Sequence, residues 1–271
     1  MYSQTDTILS PLYYRKMGAG PAVVLLHGFP ESGLLWKNIW DKLPASSTLI
    51  IPDLPGSGNS KLESETSIDQ MAGYVKTIMD IEGIDKAVIA GHSMGGYVAL
   101  AFADRYPDRV SGLSLIHSTP LADDEEKKKL RLKSIELIRK GAKNTFISQM
   151  APNLFSDAFK RSDPEVVKEQ VEQALKMEDN SIVNFYTAMM QRPDRTNVLE
   201  KAVFPIQWIA GINDNLISYK KILEQCYKSD INFVSFYNNC GHMSMFEVPG
   251  QLISDLREFI NYCDTYQHKR L

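Results

Sequence analysis

The sequence predicts an α/β fold in which a mostly parallel eight-stranded sheet is flanked by helices and carries an inserted helical cap. Three observations support this fold class. Short apolar runs alternate with longer segments of helical spacing, which is typical of a parallel sheet covered on both faces. The alternation stops between residues 121 and 197, where only helical patterns occur. The length of 271 residues fits one large domain with such an insertion.

Each predicted strand is a short apolar run bounded by Gly, Pro, Asp or Ser. Two weaker runs near the N-terminus, Thr7 to Leu9 and Leu12 to Lys16, lie close enough along the chain to form an antiparallel hairpin. Six stronger runs predict buried strands: Ala22 to Leu26, Thr48 to Ile51, Ala87 to Ala90, Gly112 to Ile116, Ile206 to Ala210 and Asn232 to Tyr237.

The segments between these strands have apolar residues at helical spacing. We expect helices over Leu34 to Leu43, Ile68 to Ile81, Tyr97 to Tyr106 and Leu252 to Tyr262. Inside the insertion, the acidic run Asp123 to Glu126 precedes Lys127 to Lys129, an order that suits the start of a helix. We therefore divide the chain into a core of residues 1–120 and 198–271 and a helical cap of residues 121–197.

Charge and cysteine content restrict the partners and the compartment. The 30 Lys plus Arg residues nearly balance the 33 Asp plus Glu residues, so we expect a small-molecule substrate, with no nucleic-acid or membrane partner. Cys226, Cys240 and Cys263 are odd in number and lack C-x-x-C spacing, so we expect no disulfide framework and no metal or cofactor. With no signal peptide or transmembrane segment visible, the prediction is a cytoplasmic monomer or homodimer.

A G-x-S-x-G pattern, Gly91 to Gly95, lies directly between an apolar strand and a helical segment. This placement is typical of a nucleophile elbow, in which a serine occupies a sharp strand-to-helix turn. The turn brings neighbouring backbone so close that the first and last positions of the pattern favour glycine. The elbow exposes the hydroxyl at the carboxyl edge of the sheet, so Ser93 is the predicted nucleophile.

A serine hydroxyl needs an adjacent base that is itself oriented by a third group. The last two predicted strands lead into Asp214 and His242, and open α/β sheets build their sites at the carboxyl ends of strands. The sequence therefore predicts Ser93, Asp214 and His242 as catalytic residues. For the oxyanion we expect two backbone N–H donors, those of Met94 and Phe29, since Pro30 has no N–H to offer.

Several segments, in this order, resemble those of the α/β-hydrolase fold family, in its serine-nucleophile, esterase-like branch. The resemblance spans nearly the whole chain and implies a hydrolase fold with a cap beside the active site. The segments are His27-Gly28-Phe29-Pro30-Glu31, Asp53 to Ser60, Gly91 to Gly95, Gly211 to Asp214, and Gly241-His242 followed by Glu247-Val248-Pro249.

The H-G-F-P-E run also resembles that of epoxide hydrolases and haloalkane dehalogenases, whose nucleophile is an aspartate. An aspartate attacking an alkyl carbon yields an ester that water can hydrolyse, whereas a serine would yield an ether that water cannot. Ser93 suits attack at an acyl carbon instead, so epoxide and halide chemistry are disfavoured.

Other polar residues near the strand ends have simpler structural interpretations. We expect His27 and Asp53 to brace loops, His92 and His117 to be structural, and Glu247 to brace the start of a helix. Cys240 lacks the elbow context and is interpreted as a packing residue. Arg192 and Arg195, where the cap rejoins the core, are interpreted as a hinge or a salt-linked brace, with binding of a substrate anion as the alternative.

Four residues of the insertion, Phe146, Met150, Tyr186 and Met190, are candidates for an apolar substrate pocket, although such residues also pack helices together. The predicted function is hydrolysis of an ester or related acyl bond in a small, largely apolar substrate through an acyl-enzyme. Within the same fold, carbon–carbon bond hydrolysis, lactone opening and cofactor-free perhydrolysis are alternatives. A receptor that senses its ligand is the alternative outside the enzymes.

Overall fold

The computed structural model describes residues 5–9, 12–43 and 46–268, and an eight-stranded sheet lies at its centre. The strands are β1 (Thr5–Leu9), β2 (Leu12–Gly18), β3 (Ala22–Leu26), β4 (Thr48–Asp53), β5 (Ala87–His92), β6 (Val110–Ile116), β7 (Ile206–Gly211) and β8 (Asn232–Tyr237). Their order across the sheet is β1-β2-β4-β3-β5-β6-β7-β8. The β1/β2 and β2/β4 pairs are antiparallel and all others are parallel, which confirms the predicted fold class.

The central strands are buried because apolar side chains project from both faces of the sheet into two hydrophobic clusters. Along β3, Val24 and Leu26 pack into one hydrophobic cluster, whereas Val23 and Leu25 pack into another. Side chains alternate between the faces of a strand, so a continuous apolar run supplies two cores at once. The sheet therefore lies between two hydrophobic layers. The loops at the carboxyl ends of its parallel strands carry the polar residues described below.

Eleven α-helices lie within the described residues. They are α1 (Ile68–Ile81), α2 (Met94–Arg105), α3 (Glu125–Arg139), α4 (Lys143–Met150), α5 (Asp157–Ser162), α6 (Pro164–Ala174), α7 (Asp179–Gln191), α8 (Thr196–Glu200), α9 (Tyr219–Leu223), α10 (Ser244–Glu247) and α11 (Pro249–His268). The predicted helix from Ile68 has the bounds of α1, which begins with a reciprocal cap between Ser67 and Gln70. None of the helices in the described part of the chain is long and apolar enough to cross a membrane.

The helix predicted over Leu34 to Leu43 is wrong. This segment forms two short 3-10 turns, Gly33–Trp36 and Trp40–Lys42, closed by bonds such as Lys37 N–H to the Leu34 carbonyl. Its apolar residues recur at spacings of three and four, which fit either helix type. The tighter turns bury Leu35, Trp36, Ile39 and Leu43 and leave Leu34 exposed.

The insertion between β6 and β7 contains helices and no strand over residues 121–197, all of which the structure describes. Its first helix, α3, begins where the charge order predicts, with the Asp124 side chain accepting a hydrogen bond from Lys127 N–H. Since β6 and β7 pair directly, the insertion leaves and re-enters the sheet between adjacent strands.

Candidate active site

Ser93 lies in a strained turn between β5 and α2, with φ 51° and ψ −115°. Close backbone contacts explain the flanking glycines. A Cβ on Gly91 would lie 2.3 Å from the Gly95 carbonyl oxygen, and one on Gly95 would lie 2.4 Å from the Leu26 carbonyl oxygen. The sharp elbow that the G-x-S-x-G pattern predicts is therefore present, and only glycine fits at either end of it.

Hydrogen bonds from the neighbouring strand hold this turn in place. Ser93 N–H donates to the Ile116 carbonyl at 2.9 Å, and the Ser118 hydroxyl donates to the Ser93 carbonyl at 2.8 Å. A positive φ at a residue with a side chain is unfavourable, so these bonds offset part of its cost. They leave the partly exposed Ser93 side chain at the carboxyl edge of the sheet.

Asp214 and His242 meet at the same edge, after β7 and β8. His242 Nδ1 donates to Asp214 Oδ2 at 2.7 Å, and both side chains are buried. The other carboxylate oxygen, Oδ1, accepts from Leu216 N–H at 2.8 Å and from Ile217 N–H at 3.0 Å. The carboxylate is thus fixed by its own loop, and it fixes the imidazole in the form that leaves Nε2 as an acceptor.

Charge interactions outweigh burial in this pair. Burial alone would raise the pKa of Asp214, but the adjacent His242 and His117 hold that pKa well below its usual value. Burial alone would lower the pKa of His242, but Asp214 raises it above the ordinary histidine value. The carboxylate therefore stabilises the imidazolium that proton transfer to His242 would create.

His117 contributes a second imidazole to the same carboxylate, with Nδ1 3.0 Å from Asp214 Oδ2. This contact joins β6 to the loop after β7, in agreement with the structural role that the sequence predicts for His117. His117, Asp214 and His242 offer donor atoms within 4.8 Å of one another, a spacing that could also suit a metal ion. Two N–H···O bonds already converge on Asp214 Oδ2, so we interpret the cluster as a hydrogen-bonded one.

The loop of His242 is anchored by a carboxylate and by the helical insertion. Glu247 accepts hydrogen bonds from Gly241 N–H at 2.9 Å, Met243 N–H at 3.1 Å and Ser156 N–H at 3.0 Å. His242 N–H itself donates to the Leu154 carbonyl at 2.8 Å. Glu247 braces the start of a helix as expected, since Met243 is the N-cap residue of α10, and its carboxylate also holds the loop on both sides of His242.

The loop after β3 carries the predicted oxyanion donor Phe29. His27 braces this loop as expected: its Nε2 accepts from Leu54 N–H at 2.9 Å and lies 2.8 Å from the Ser57 hydroxyl. The Phe29–Pro30 peptide bond is cis. Asp53 also braces loops, accepting from two backbone N–H groups at 2.8 Å. Met94, the other predicted donor, is the first residue of α2.

The structure brings two of the four candidate pocket residues toward this loop. The Tyr186 ring lies 4.9 Å from the Phe29 ring, and the Phe146 ring lies 6.0 Å from that of Tyr186. Met150 and Met190 are partly buried and pack against the hydrophobic core. Two nearby cavities, of about 450 and 750 Å³, lie between the loop after β3 and α6, and none of the four residues lines them.

Glu31 lines both of these cavities, and its motif alone predicts no individual role for its carboxyl group. Its side chain is partly exposed as a whole, but Oε2 is buried and has no hydrogen-bond partner among the described residues. Burial raises the pKa of Glu31 to about 7, against the opposing effect of His242. The fold of the loop after β3 brings this carboxyl group close to Ser93, since both groups lie beside Gly28.

Buried arginines tie the two ends of the insertion together, as the brace interpretation expects. Arg192 pairs with Asp123 at 3.0 Å and donates to the Leu121 carbonyl at 2.9 Å. Its guanidinium lies 3.8 Å from the centre of the Tyr97 ring, on the first turns of α2. The Arg195 backbone N–H donates to the Pro120 carbonyl at 2.8 Å, and its guanidinium pairs with Asp69 at 2.7 Å. Both guanidinium groups therefore have protein partners.

A parallel sheet that presents a strained serine and a His–Asp pair along one edge is the framework of a hydrolase. Residues 21–249 match the alpha/beta hydrolase fold family, and the chain therefore belongs to that family.

Individual relatives cover different shares of the chain. The structure of a thermophilic esterase from Thermogutta terrifontis, with malate bound, has a TM-score of 0.88 and 26% identity, covering 97% of this chain and 99% of that one. A pimeloyl-[acyl-carrier protein] methyl ester esterase from Citrobacter koseri is 27% identical over 79% of this chain and 84% of its own length. Uncharacterised proteins from Mycobacterium tuberculosis are 34% identical, but the alignment spans only 33% of their length.

Proposed function

We propose that the protein is a serine hydrolase that cleaves an ester bond of a small, largely apolar substrate. One observation carries the proposal: the strained elbow of Ser93 and the buried His242–Asp214 pair lie at the same edge of the sheet. Serine attack at an acyl carbon gives an ester that water can hydrolyse. Two of the relatives described above are named as esterases, which supports an ester as the substrate.

In the proposed mechanism, Ser93 Oγ attacks the substrate carbonyl carbon while His242 Nε2 takes the hydroxyl proton. Asp214 keeps the imidazole in the required tautomer and stabilises its positive charge. The N–H groups of Phe29 and Met94 bind the oxyanion, an interaction worth about 100- to 1000-fold in rate for a single donor. His242 then protonates the leaving alcohol, and water releases the acid from the acyl-enzyme.

We further propose that residues 121–197 act as a cap that shapes the substrate pocket. The aromatic contacts from Phe146 through Tyr186 to Phe29 connect the helical insertion to the loop that carries a proposed oxyanion donor. An apolar substrate group packed against these rings would lie near the reacting carbonyl.

The test compares the wild-type protein with Ser93→Ala on short p-nitrophenyl esters and on labelling by a fluorophosphonate. We expect Ser93→Ala to lose labelling and to lower kcat by several orders of magnitude. Equal turnover by the two proteins would refute the serine mechanism. Cleavage of lactones or diketones in place of esters would reassign the substrate, and labelling without turnover of any substrate would favour a ligand sensor.

A further inference from the structure

Asp214 Oδ2 accepts hydrogen bonds from two imidazole rings, and only one of the rings belongs to the proposed triad. His242 Nδ1 lies 2.7 Å from this oxygen, and His117 Nδ1 lies 3.0 Å from it. The side chains of His117 and Asp214 are both fully buried. His242 takes the Ser93 proton in the proposed mechanism, whereas His117 takes no part in it.

The surroundings of the His117 ring determine which of its nitrogens carries the hydrogen. Burial lowers the pKa of His117, so the ring is neutral and has one N–H. Despite burial, the adjacent His242 and His117 keep the pKa of Asp214 low, so its carboxylate is ionised and can only accept. Gly211 N–H lies 3.4 Å from His117 Nδ1, but a neutral bond of that length is weaker than one to a charged oxygen. The hydrogen is therefore on Nδ1, and Nε2 carries a lone pair.

Histidine is an unfavourable residue at position 117 if the ring only fills space. The backbone has φ 50°, which costs free energy for a residue with a side chain. The buried Nε2 has no hydrogen-bond partner among the described residues, which is a further cost. His117 N–H already joins β6 to the Ile209 carbonyl at 2.7 Å, a bond that does not need the imidazole. The ring therefore occupies this position at a cost that its bond to Asp214 offsets.

Asp214 does not depend on His117 to stay in place. Its Oδ1 accepts from Leu216 N–H and Ile217 N–H, two bonds within its own loop. His117 acts instead on Oδ2, the oxygen that holds His242. A carboxylate that accepts more hydrogen bonds is a weaker base, so a second donor on Oδ2 weakens its attraction for the first.

We propose that His117 is a positioning residue of the active site, whose Nδ1 hydrogen bond shares Asp214 Oδ2 with His242 and limits how strongly the carboxylate stabilises protonated His242. This inference rests on the proposed serine mechanism. Without the second donor, Oδ2 would hold the imidazolium more strongly and His242 would release its proton less readily. His117 thereby extends ester cleavage to lower pH, because only neutral His242 accepts the Ser93 proton.

The titratable groups around His242 come from five segments: Glu31 after β3, His92 at the end of β5, His117 after β6, Asp214 after β7 and Glu247 in α10. Burial lowers the pKa of His242, and the three carboxyl groups raise it, Asp214 most. Burial also raises the pKa of Glu31 to about 7, so this group titrates in the same range. All of these groups except His117 are the same in variants of His117, so a difference between two such variants reports the Nδ1 donor.

The test measures kcat/KM for p-nitrophenyl butyrate between about pH 5 and 9, a range that includes the titration of histidine. His117→Asn keeps an N–H donor on the atom that corresponds to Nδ1 and suits a positive φ, whereas His117→Leu has the same outline and no donor. We expect the acid limb of His117→Leu to move up by about one pH unit, the effect of about one hydrogen bond to a charged group. On that limb kcat/KM falls about tenfold. His117→Asn should keep the wild-type limb.

A loss of packing has a different signature from the loss of this donor. Poor packing around residue 117 would lower kcat/KM by the same factor at every pH and leave the limb in place. Loss of the Nδ1 donor moves the limb and leaves activity at high pH close to that of His117→Asn. Thermal melting shows whether both variants are folded.

Nitrogen-15 NMR of the histidine side chains tests the tautomer in the wild-type protein and does not require His117→Leu to fold. We expect a neutral imidazole with its hydrogen on Nδ1, whose signals disappear in His117→Asn. A hydrogen on Nε2 of His117 would overturn the proposal, because Nδ1 could then donate nothing to Asp214.

The pH profiles can overturn the proposal independently. It fails if the limb of His117→Leu stays in place or moves to lower pH, or if His117→Asn moves as far as His117→Leu. In those cases a wild type that cleaves the ester and is labelled at Ser93 by a fluorophosphonate keeps the serine mechanism intact. If the wild type neither cleaves the ester nor reacts with the fluorophosphonate, both proposals fail.

Discussion

Glu247→Gln tests how the loop of His242 is held. The Glu247 carboxylate accepts three backbone N–H groups, two at Oε2 and one at Oε1. A glutamine amide has only one oxygen, so its best orientation keeps the two bonds at the Oε2 position and turns an NH2 group toward Met243 N–H. The variant therefore loses one hydrogen bond and weakens two others by removing their charge.

The magnitude follows from these three bonds. Leaving one donor unpaired costs about 1–3 kcal/mol, and a hydrogen bond to a charged group is worth about 1 kcal/mol more than a neutral one. Glu247 is partly exposed, so solvent reduces both effects and we expect a loss of about 2 kcal/mol in the free energy of unfolding. For a chain of this size that corresponds to a decrease in Tm of about 4–8 °C.

Thermal melting and urea unfolding measure this effect, with the exposed Glu224→Gln as the matched control. The ester assay should also show a lower kcat for Glu247→Gln, since His242 lies between two of the N–H groups that Glu247 holds. A Tm for Glu247→Gln within about 1 °C of the control would refute the view that this carboxylate anchors the loop.

Two further predictions concern the His242–Asp214 pair. Asp214→Asn should lower kcat for ester cleavage by about 10⁴-fold, because the amide no longer holds the productive tautomer of His242; a decrease of less than tenfold would contradict this role. The raised pKa of His242 predicts that kcat/KM falls as pH decreases through a value above 6.5, since only neutral His242 accepts the Ser93 proton. In Asp214→Asn the residual activity should persist to lower pH, and a wild-type profile that stays flat between about pH 5 and 8 would exclude His242 as the base.

The sequence allows the sheet and the positions of Ser93, Asp214 and His242 to be predicted because the relevant signals are local. A fully buried strand needs a continuous apolar run, and the elbow needs glycines two residues on either side of its serine. Asp214 and His242 each follow a strand within a few residues, so their common edge follows from a parallel sheet. The sheet, the elbow and these strand ends can therefore be predicted without knowing the contacts between loops.

The other contributions to the site depend on contacts between distant segments. His117 reaches Asp214 across 97 positions, and Glu247 reaches Ser156 across 91. Glu31 approaches Ser93 only because its loop folds over β5 beside a side-chain-free Gly28. The sequence places these residues in recognisable segments but does not show which groups they contact, because burial and hydrogen bonding at long range leave no periodic pattern.

Contacts of Arg192, Asp123 and Arg195 hold the two ends of the helical insertion together where the chain leaves and re-enters the sheet. Arg192 pairs with Asp123, and the Arg195 backbone N–H donates to the Pro120 carbonyl. These contacts lie where the chain leaves β6 and returns to β7, two strands that pair with each other. Each doubling in the length of such an excursion costs only about 0.6 kcal/mol in closure entropy. Insertions of different length can therefore be exchanged at this junction without stretching the sheet, provided that they keep the contacts of Leu154 and Ser156 that hold the loop of His242.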